Sequence, residues 1–287
     1  MKLEILSRSE KRISFLIDGI DTELANAMRR IILTEVPAMA IDDVVFIENS
    51  TPLFDEIIAH RLGLVPLTTD LDSFVLKERC SCEGIGCARC QVAFQCSIQA
   101  ENGKRNVYTS DIISIDPKIK PVNDKILITK MAKGSKLIFE AYARLGLGKD
   151  HAKWQPVSKI TYKMYPEIRI DQEKLDDFEF KGDNENDPIV NACPPKILKW
   201  EKGNLTVTDE KKCTLCGACV RSEITPKGAI DVRPVKNKFI FFLETPGVMK
   251  PERLVLEGLK IFKEKVKRFG TLVKELSEKL EQQEDHE

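Results

Sequence analysis

The stretch "RISFLIDGIDTELANAMRRIILTEVPAMAID", Arg12–Asp42, sets the class of the fold. Ile13, Phe15 and Ile17 alternate with more polar neighbours, the period of a half-buried strand. Asp21 or Thr22 can cap the segment that follows, in which Leu24, Ala27, Met28, Ile31 and Ile32 fall on one helical face, and Pro37 stops it. Strand, turn and amphipathic helix in immediate succession predict a mixed α+β chain whose first helix has an apolar face to cover.

The far end of the chain offers a matching face. Leu259, Phe262, Val266, Phe269, Val273, Leu276 and Leu280 are spaced 3, 4, 3, 4, 3, 4, a heptad seam. A plain amphipathic helix on the chain's own core is one reading. The strict spacing favours a subunit interface for at least part of the helix. The closing "EQQEDHE" reads as a frayed, solvated tail.

Between these ends the signals are short and β-rich, with a helical interruption at "LFDEIIAHRLGLVPL". "VAFQCSIQA" alternates cleanly, with Val92, Phe94, Cys96 and Ile98 on one side, so Cys96 is expected to be a core thiol. "PVSKITYKMYP" gives a strand-pair signal, the acidic "DQEKLDDFEFKGDNENDP" a boundary or surface element, and "NKFIFFLET" a further strand. "GLGKD" at Gly146–Asp150 resembles a phosphate loop but fails as one, because Ala143 stands where its first glycine is needed and Asp150 where Ser or Thr is needed.

Lysine plus arginine number 45 and aspartate plus glutamate 45 in 287 residues, so the formal charge is zero. A protein whose main task is gripping phosphate backbones carries a basic excess, so no direct sequence-specific nucleic-acid contact is expected. The N-terminus has no long apolar run and no segment approaches the roughly 20 apolar residues that span a bilayer, so a cytoplasmic location without membrane contact is expected. In that compartment clustered cysteines more often hold metals than form disulfides. No general acid–base pair or nucleophile stands out, so no catalytic residue is assigned and no enzyme is expected.

The nine cysteines fall into two groups and one single. Cys213, Cys216 and Cys219 follow C-x2-C-x2-C, which wraps one corner of an iron–sulfur cubane. A two-cluster ferredoxin continues with x3-Cys-Pro. Here Glu223 stands at that place, while Cys193–Pro194 lies upstream without a triplet of its own. One triplet plus one remote Cys-Pro predicts a single 4Fe–4S cluster on Cys193, Cys213, Cys216 and Cys219, with a 3Fe–4S form if one ligand is labile. Such a cluster inside a larger chain reads as a structural or regulatory element before an electron carrier. The second group, Cys80, Cys82, Cys87 and Cys90 in "RCSCEGIGCARCQ", suits a closed tetrahedral zinc site, with disulfides or a metal-free loop as the alternatives.

"TELANAMRRIILTEVPAMAID", "FDEIIAHRLGLVPL", "LGLGKDHAKWQPVSKITY" and the thiol loop after Lys77 together resemble the α-type assembly subunits of RNA polymerase, which include the archaeal D-type subunits and the third-largest subunit of eukaryotic polymerase II. The resemblance runs over nearly the whole chain. It implies a discontinuous dimerisation domain at about 1–38, 152–168 and 234–287, an inserted β-rich domain carrying the thiol loop at about 39–151, and a ferredoxin-like cluster domain at about 169–233. It implies pairing with the small α-like subunit L, whose interface would take Leu24, Ala27, Met28, Ile31 and Ile32 with Leu259, Phe262, Val266, Phe269, Val273 and Leu276. Subunits N and P and the large catalytic subunits would join that platform, with Arg29 and Arg30 as candidate contacts and His60 as a structural histidine. A ferredoxin-type electron-transfer protein or redox-enzyme subunit is the rival reading, and a zinc-dependent nucleic-acid module is the weakest.

Overall fold

A computed structural model describes residues 1–176 and 187–284, with the side chains of 280–284 not described. In chain order the first half holds β1 (Lys2–Arg8), β2 (Arg12–Asp18), α1 (Thr22–Thr34), β3 (Ala38–Asn49), α2 (Asp55–Gly63), β4 (Gln91–Gln99), β5 (Arg105–Tyr108), β6 (Ile113–Ser114), β7 (Leu127–Met131) and β8 (Lys136–Gly146). The second half holds β9 (Lys159–Ile170), α3 (Pro188–Asn191), β10 (Leu198–Glu201), β11 (Asn204–Val207), α4 (Ala218–Arg221), β12 (Ile230–Glu244) and α5 (Pro251–Glu284). The mixed α/β class expected from the sequence is present. The middle of the acidic stretch, 177–186, and residues 285–287 lie outside the described residues.

The chain divides into two compact units. The first comprises Met1–Leu6, Ser14–Ala25 and Thr161–Phe242. It contains a four-stranded sheet in the order β1-β2-β12-β9 and the β10–β11 hairpin. One face of the four-stranded sheet is aromatic: Phe15 stacks on Phe241 at 5.2 Å, and Tyr162 meets Phe239 edge-on at 5.5 Å. Strand alternation sends Lys163 and Tyr165 to the opposite face, with Lys238 and Phe242 beside them. The region expected to give a strand pair, "PVSKITYKMYP", forms part of the single strand β9. Its ladder to β12 runs along one long edge, and no tight turn interrupts it.

The cysteine-bearing segment of this unit shares its core with that sheet. Leu175, Ile189, Val190, Ile197, Trp200 and Leu205 pack together, and Ile168, Ile170 and Val232 of β9 and β12 pack against them. The buried Asp187 carboxylate accepts from the Ile189 and Val190 amides and from the Trp200 indole at 2.7–2.9 Å, so it caps α3 and fixes the turn that leads to Cys193.

The second unit comprises Ser7–Ile13, Asn26–Ile160 and Leu243–Glu287. Its sheet has the order β3-β8-β4-β6, with α2 against β3. Val92, Phe94, Cys96 and Ile98 all point into its core, as their alternation predicts, and burial pushes the Cys96 thiol up to about 12. A bulge between Ile41 and Asp43 leaves Asp42 off the ladder, where it pairs with Arg144 and Lys153. Burial pushes that carboxyl up, but the two cations outweigh it and hold it low. Lys153 and Arg144 also sit over the ring of the buried Trp154, at 4.4 and 5.0 Å. Within "GLGKD", a side chain at Gly148 would meet the Leu33 carbonyl at 2.7 Å, so the glycine serves close backbone approach. His60 is exposed on α2.

α5 begins with Pro251 and is about 50 Å long at 1.5 Å per residue. Its first turns are anchored: Leu254 is fully buried, and a side chain at Gly258 would run into Ile32 of α1. The expected frayed tail is corrected in part, since the helix continues through Glu284. A second glycine, Gly270, has nothing within 4 Å of where its side chain would lie. Both glycines cost helix propensity, about 1 kcal/mol each relative to alanine. Gly258→Ala is therefore expected to destabilise the chain, because crowding Ile32 costs about 1–3 kcal/mol. Gly270→Ala is expected to be neutral or stabilising by up to about 1 kcal/mol. Urea unfolding of both variants checks the pair, and equal shifts of one sign would contradict the close α1–α5 packing.

Candidate metal centres

Cys80, Cys82, Cys87 and Cys90 come together because the short loop between Arg79 and Gln91 turns twice. Glu83, Gly84 and Gly86 all take positive φ, the glycines being the residues that do so without cost. The four sulfur atoms lie within 4.8 Å of one another. Cys80 and Cys87 are 3.5 Å apart, Cys82 and Cys90 3.6 Å, and Cys87 and Cys90 3.9 Å. Four thiolates on one tetrahedral zinc at 2.3 Å are separated by about 3.8 Å, so these separations suit a mononuclear ion. They are far too long for disulfide bonds at about 2.05 Å.

The electrostatics of the loop point the same way. The Gly86 amide, a hydrogen bond with Cys80 and others with Cys90 and Gly84 bring the Cys82 thiol down to about 6, against some burial. Burial and the crowding of the neighbouring sulfurs push Cys90 up to about 12. A group of thiols that cannot all ionise together becomes stable as thiolates once a cation neutralises them. This set can hold a metal ion, and its closed geometry leaves no position open for a substrate.

The second set lies in the first compact unit. Cys193, Cys213, Cys216 and Cys219 line one small apolar cavity, walled by Ile168, Ile197 and Val232 among others. Cys193, Cys213 and Cys219 are buried and Cys216 is exposed. Among the described residues, the zinc-sized grouping is the one formed by Cys80, Cys82, Cys87 and Cys90. In a polynuclear cluster each thiolate binds a separate iron, so the ligands surround a cavity and do not converge on one ion. Leu215 and Gly217 take left-handed φ of 58° and 66°, which turns backbone amides inward, and the Leu215 N–H lies 3.4 Å from Cys213 Sγ. The Ala218 amide, the Thr214 hydroxyl and nearby Arg221 favour the Cys216 thiolate. Burial, then the charges of the other three sulfurs, pushes Cys219 up to about 11. The donor set, the apolar cavity and the Leu215 and Ala218 amides facing Cys213 and Cys216 fit an iron–sulfur cluster.

Two residues at this second site escaped the sequence reading. Lys163 of β9 donates to the carbonyls of Lys211 and Cys213 at 2.6 and 2.7 Å. Arg221 donates to the Cys216 carbonyl at 2.5 Å. Nothing in a lysine within "KITYKMY" marks it as a ligand-loop anchor, because its partners lie about fifty residues away.

The residues expected at a partner interface are divided. Met28, Ile31 and Ile32 are buried within the chain itself, while Leu24, Ala27 and Phe262 are half-buried. Leu259, Val266, Phe269, Val273 and Leu276 are exposed, Phe269 to 70%, and Leu272 joins them at 47%. The side chain of Leu280 lies outside the described residues. Arg29 bonds Asn26 on its own helix, and Arg30 is exposed.

Zinc binding at Cys80, Cys82, Cys87 and Cys90 requires thiolates, so acid competes with the metal. As pH falls the protons return to sulfur, and affinity is expected to drop steadily. Zinc release followed with a chromophoric indicator checks this. Cys90→Ala is expected to abolish stoichiometric binding, and a variant retaining one zinc per chain would contradict the site.

With these sites described, the comparisons with known proteins can be set beside them. The family model for the RNA polymerase Rpb3/Rpb11 dimerisation domain matches residues 14–266. The chain is 39% identical over 277 residues to the DNA-directed RNA polymerase subunit Rpo3 of Methanosphaera stadtmanae, covering 96% of this chain and 99% of that one. It is 34% identical over 275 residues to the Archaeoglobus fulgidus subunit of the same name, covering 96% and 98%. It is 33% identical over 282 residues to the DNA-directed RNA polymerase II subunit rpb3 of Dictyostelium discoideum, covering 92% of each. The family match and the end-to-end relatives agree with the paired faces of α1 and α5: this chain belongs to the RNA polymerase Rpb3/Rpb11 dimerisation-domain family.

Proposed function

We propose that the chain is a non-catalytic assembly subunit of an archaeal DNA-dependent RNA polymerase, pairing with the small α-like subunit L. The observation that carries this reading is the second half of α5. Val266, Phe269, Leu272, Val273 and Leu276 present a continuous apolar stripe that the described residues leave exposed, on a helix whose first turns are firmly anchored. A seam at heptad spacing is completed by another helix. The dimerisation domain would take 1–38, 152–168 and 234–287, with 39–151 and 169–233 as the zinc-loop and cluster domains. The resulting platform would receive subunits N and P and the large catalytic subunits.

On this reading the metals are structural or regulatory. Cys193, Cys213, Cys216 and Cys219 would hold one iron–sulfur cluster, and Cys80, Cys82, Cys87 and Cys90 one zinc ion. The cluster closes a segment whose own core is small, which is the situation in which metal binding contributes directly to folding. Among the described residues no helix is long and apolar enough to cross a membrane.

Two substitutions test the pairing. Val266→Glu combined with Phe269→Glu changes exposed positions, so the isolated chain should keep its stability within about 0.5 kcal/mol per site. Pairing with an L-type subunit should weaken by roughly 30-fold or more, as when central interface anchors are lost. Anaerobic co-purification reads this, and unchanged pairing would contradict the proposal. A free monomer with reversible cluster redox chemistry would favour the electron-transfer reading instead.

Cys216→Ser tests the role of the cluster. Its cysteines lie outside the proposed pairing helices, so the variant is expected to retain L and to lose large-subunit assembly. Full polymerase assembly at the wild-type level would show that the cluster is dispensable for the scaffold.

A further inference from the structure

The turn that carries Cys213 is tied to the four-stranded sheet by three side chains, all within the first compact unit. Lys163 of β9 places its ammonium between two carbonyls of that turn, at 2.6 Å from the Lys211 oxygen and 2.7 Å from the Cys213 oxygen. Tyr165, two residues along the same face, donates to Glu210 at 3.4 Å. Lys211 then pairs with Glu4 of β1 at 3.1 Å. β1 and β9 are the two outer strands of this sheet, so the turn is held from both edges.

Lys163 is unlike the other two. It is half-buried, and its ammonium lies 5.8 Å from the centre of the Phe242 ring. Burial lowers its pKa below the usual lysine range, and the negative charges of Cys213 and Asp209 offset only part of that. A cation in such surroundings is little screened by water or salt, so its field on a neighbouring thiolate is far stronger than that of a surface lysine. Arg221, on the Cys216 side, provides the contrast: it also bonds a carbonyl of the cysteine loop, but it is exposed.

We propose that Lys163 is a positioning residue for the iron–sulfur site, fixing the Cys213 turn through two carbonyls and raising the cluster's reduction potential with its charge. The inference rests on the cluster assigned above to Cys193, Cys213, Cys216 and Cys219. Reduction adds one electron to the cluster, and a fixed positive charge at Cys213 stabilises the more negative, reduced form. Net charge, hydrogen bonding around the ligands and solvent exposure are the means by which a protein sets such potentials. The two carbonyl bonds also hold the turn that would present the Cys213 thiolate to the cluster.

The experiment uses the full chain, reconstituted anaerobically with iron and sulfide, and titrated electrochemically with electron paramagnetic resonance detection. Lys163→Met is expected to lower the potential and to shorten the cluster's half-life in air by about tenfold, a typical cost of losing a supporting partner around a metal site. Lys163→Arg, which keeps charge and donors, is expected to restore the wild-type potential. Lys163→Gln keeps an N–H donor without the charge, so it should lower the potential even where Lys163→Met holds too little iron to measure. Arg221→Gln is expected to move the potential less than Lys163→Gln. Wild-type potentials in both uncharged Lys163 variants would overturn the inference. A wild-type chain that binds no iron would overturn the underlying cluster assignment, a different and separately visible failure.

Discussion

The contact between Gly258 of α5 and Ile32 of α1 is the constraint on which the proposed assembly depends. A side chain at Gly258 would collide with Ile32, so glycine there lets the two helices approach closely. That approach fixes the direction of α5 within a few turns of its start. Beyond Phe262 the helix runs on with its apolar side uncovered by its own chain. Anchoring at one end and exposure at the other make the helix an incomplete structure, completed by a second helix of matching period. The chain spends nearly one-eighth of its length on this element.

The cysteine segment is built on the same economy. Among the described residues its apolar core is modest, a dozen buried residues of which three are cysteines. Asp187 fixes the approach to Cys193 with three hydrogen bonds to a buried carboxylate, and Lys163, Tyr165 and Glu4 hold the opposite turn against the sheet. Four thiols lining one cavity repel one another as thiolates, and burial first and then that repulsion push Cys219 up to about 11. A polynuclear metal group, as proposed here, would remove that repulsion and cross-link the segment at once. The thiol loop at Cys80–Cys90 solves a smaller version of the problem at the spacing of a single ion.

Much of this was legible in the sequence where the periodicity was local. α1, α2, β4 and α5 declared themselves through apolar spacing, and the cysteine groups through ligand intervals. β1 did not, because Leu3 and Ile5 of this edge strand are exposed and no buried face supports the alternation. The β10–β11 hairpin was missed because its signal is the short Lys202–Gly203 turn, both residues at positive φ, between strands of four residues. The segments expected at 39–151 and 169–233 each lie inside one compact unit, while the stretches expected at 1–38, 152–168 and 234–287 are divided between the two. β12 belongs to both, since its 15 residues run without a break from the cysteine segment to Glu244. Lys163 was invisible for a related reason, since its importance arises only from residues that folding brings beside it.

The central claim is that α5 is structurally incomplete until a partner helix covers it. Hydrogen exchange along α5, in the isolated chain and in its complex with an L-type subunit, tests this most directly. The account predicts slow exchange around Leu254 and Gly258 in both states, and strong protection of 262–276 only in the complex. Equal protection of 262–276 in a monomeric isolated chain would contradict it, because the helix would then be finding its cover within its own chain.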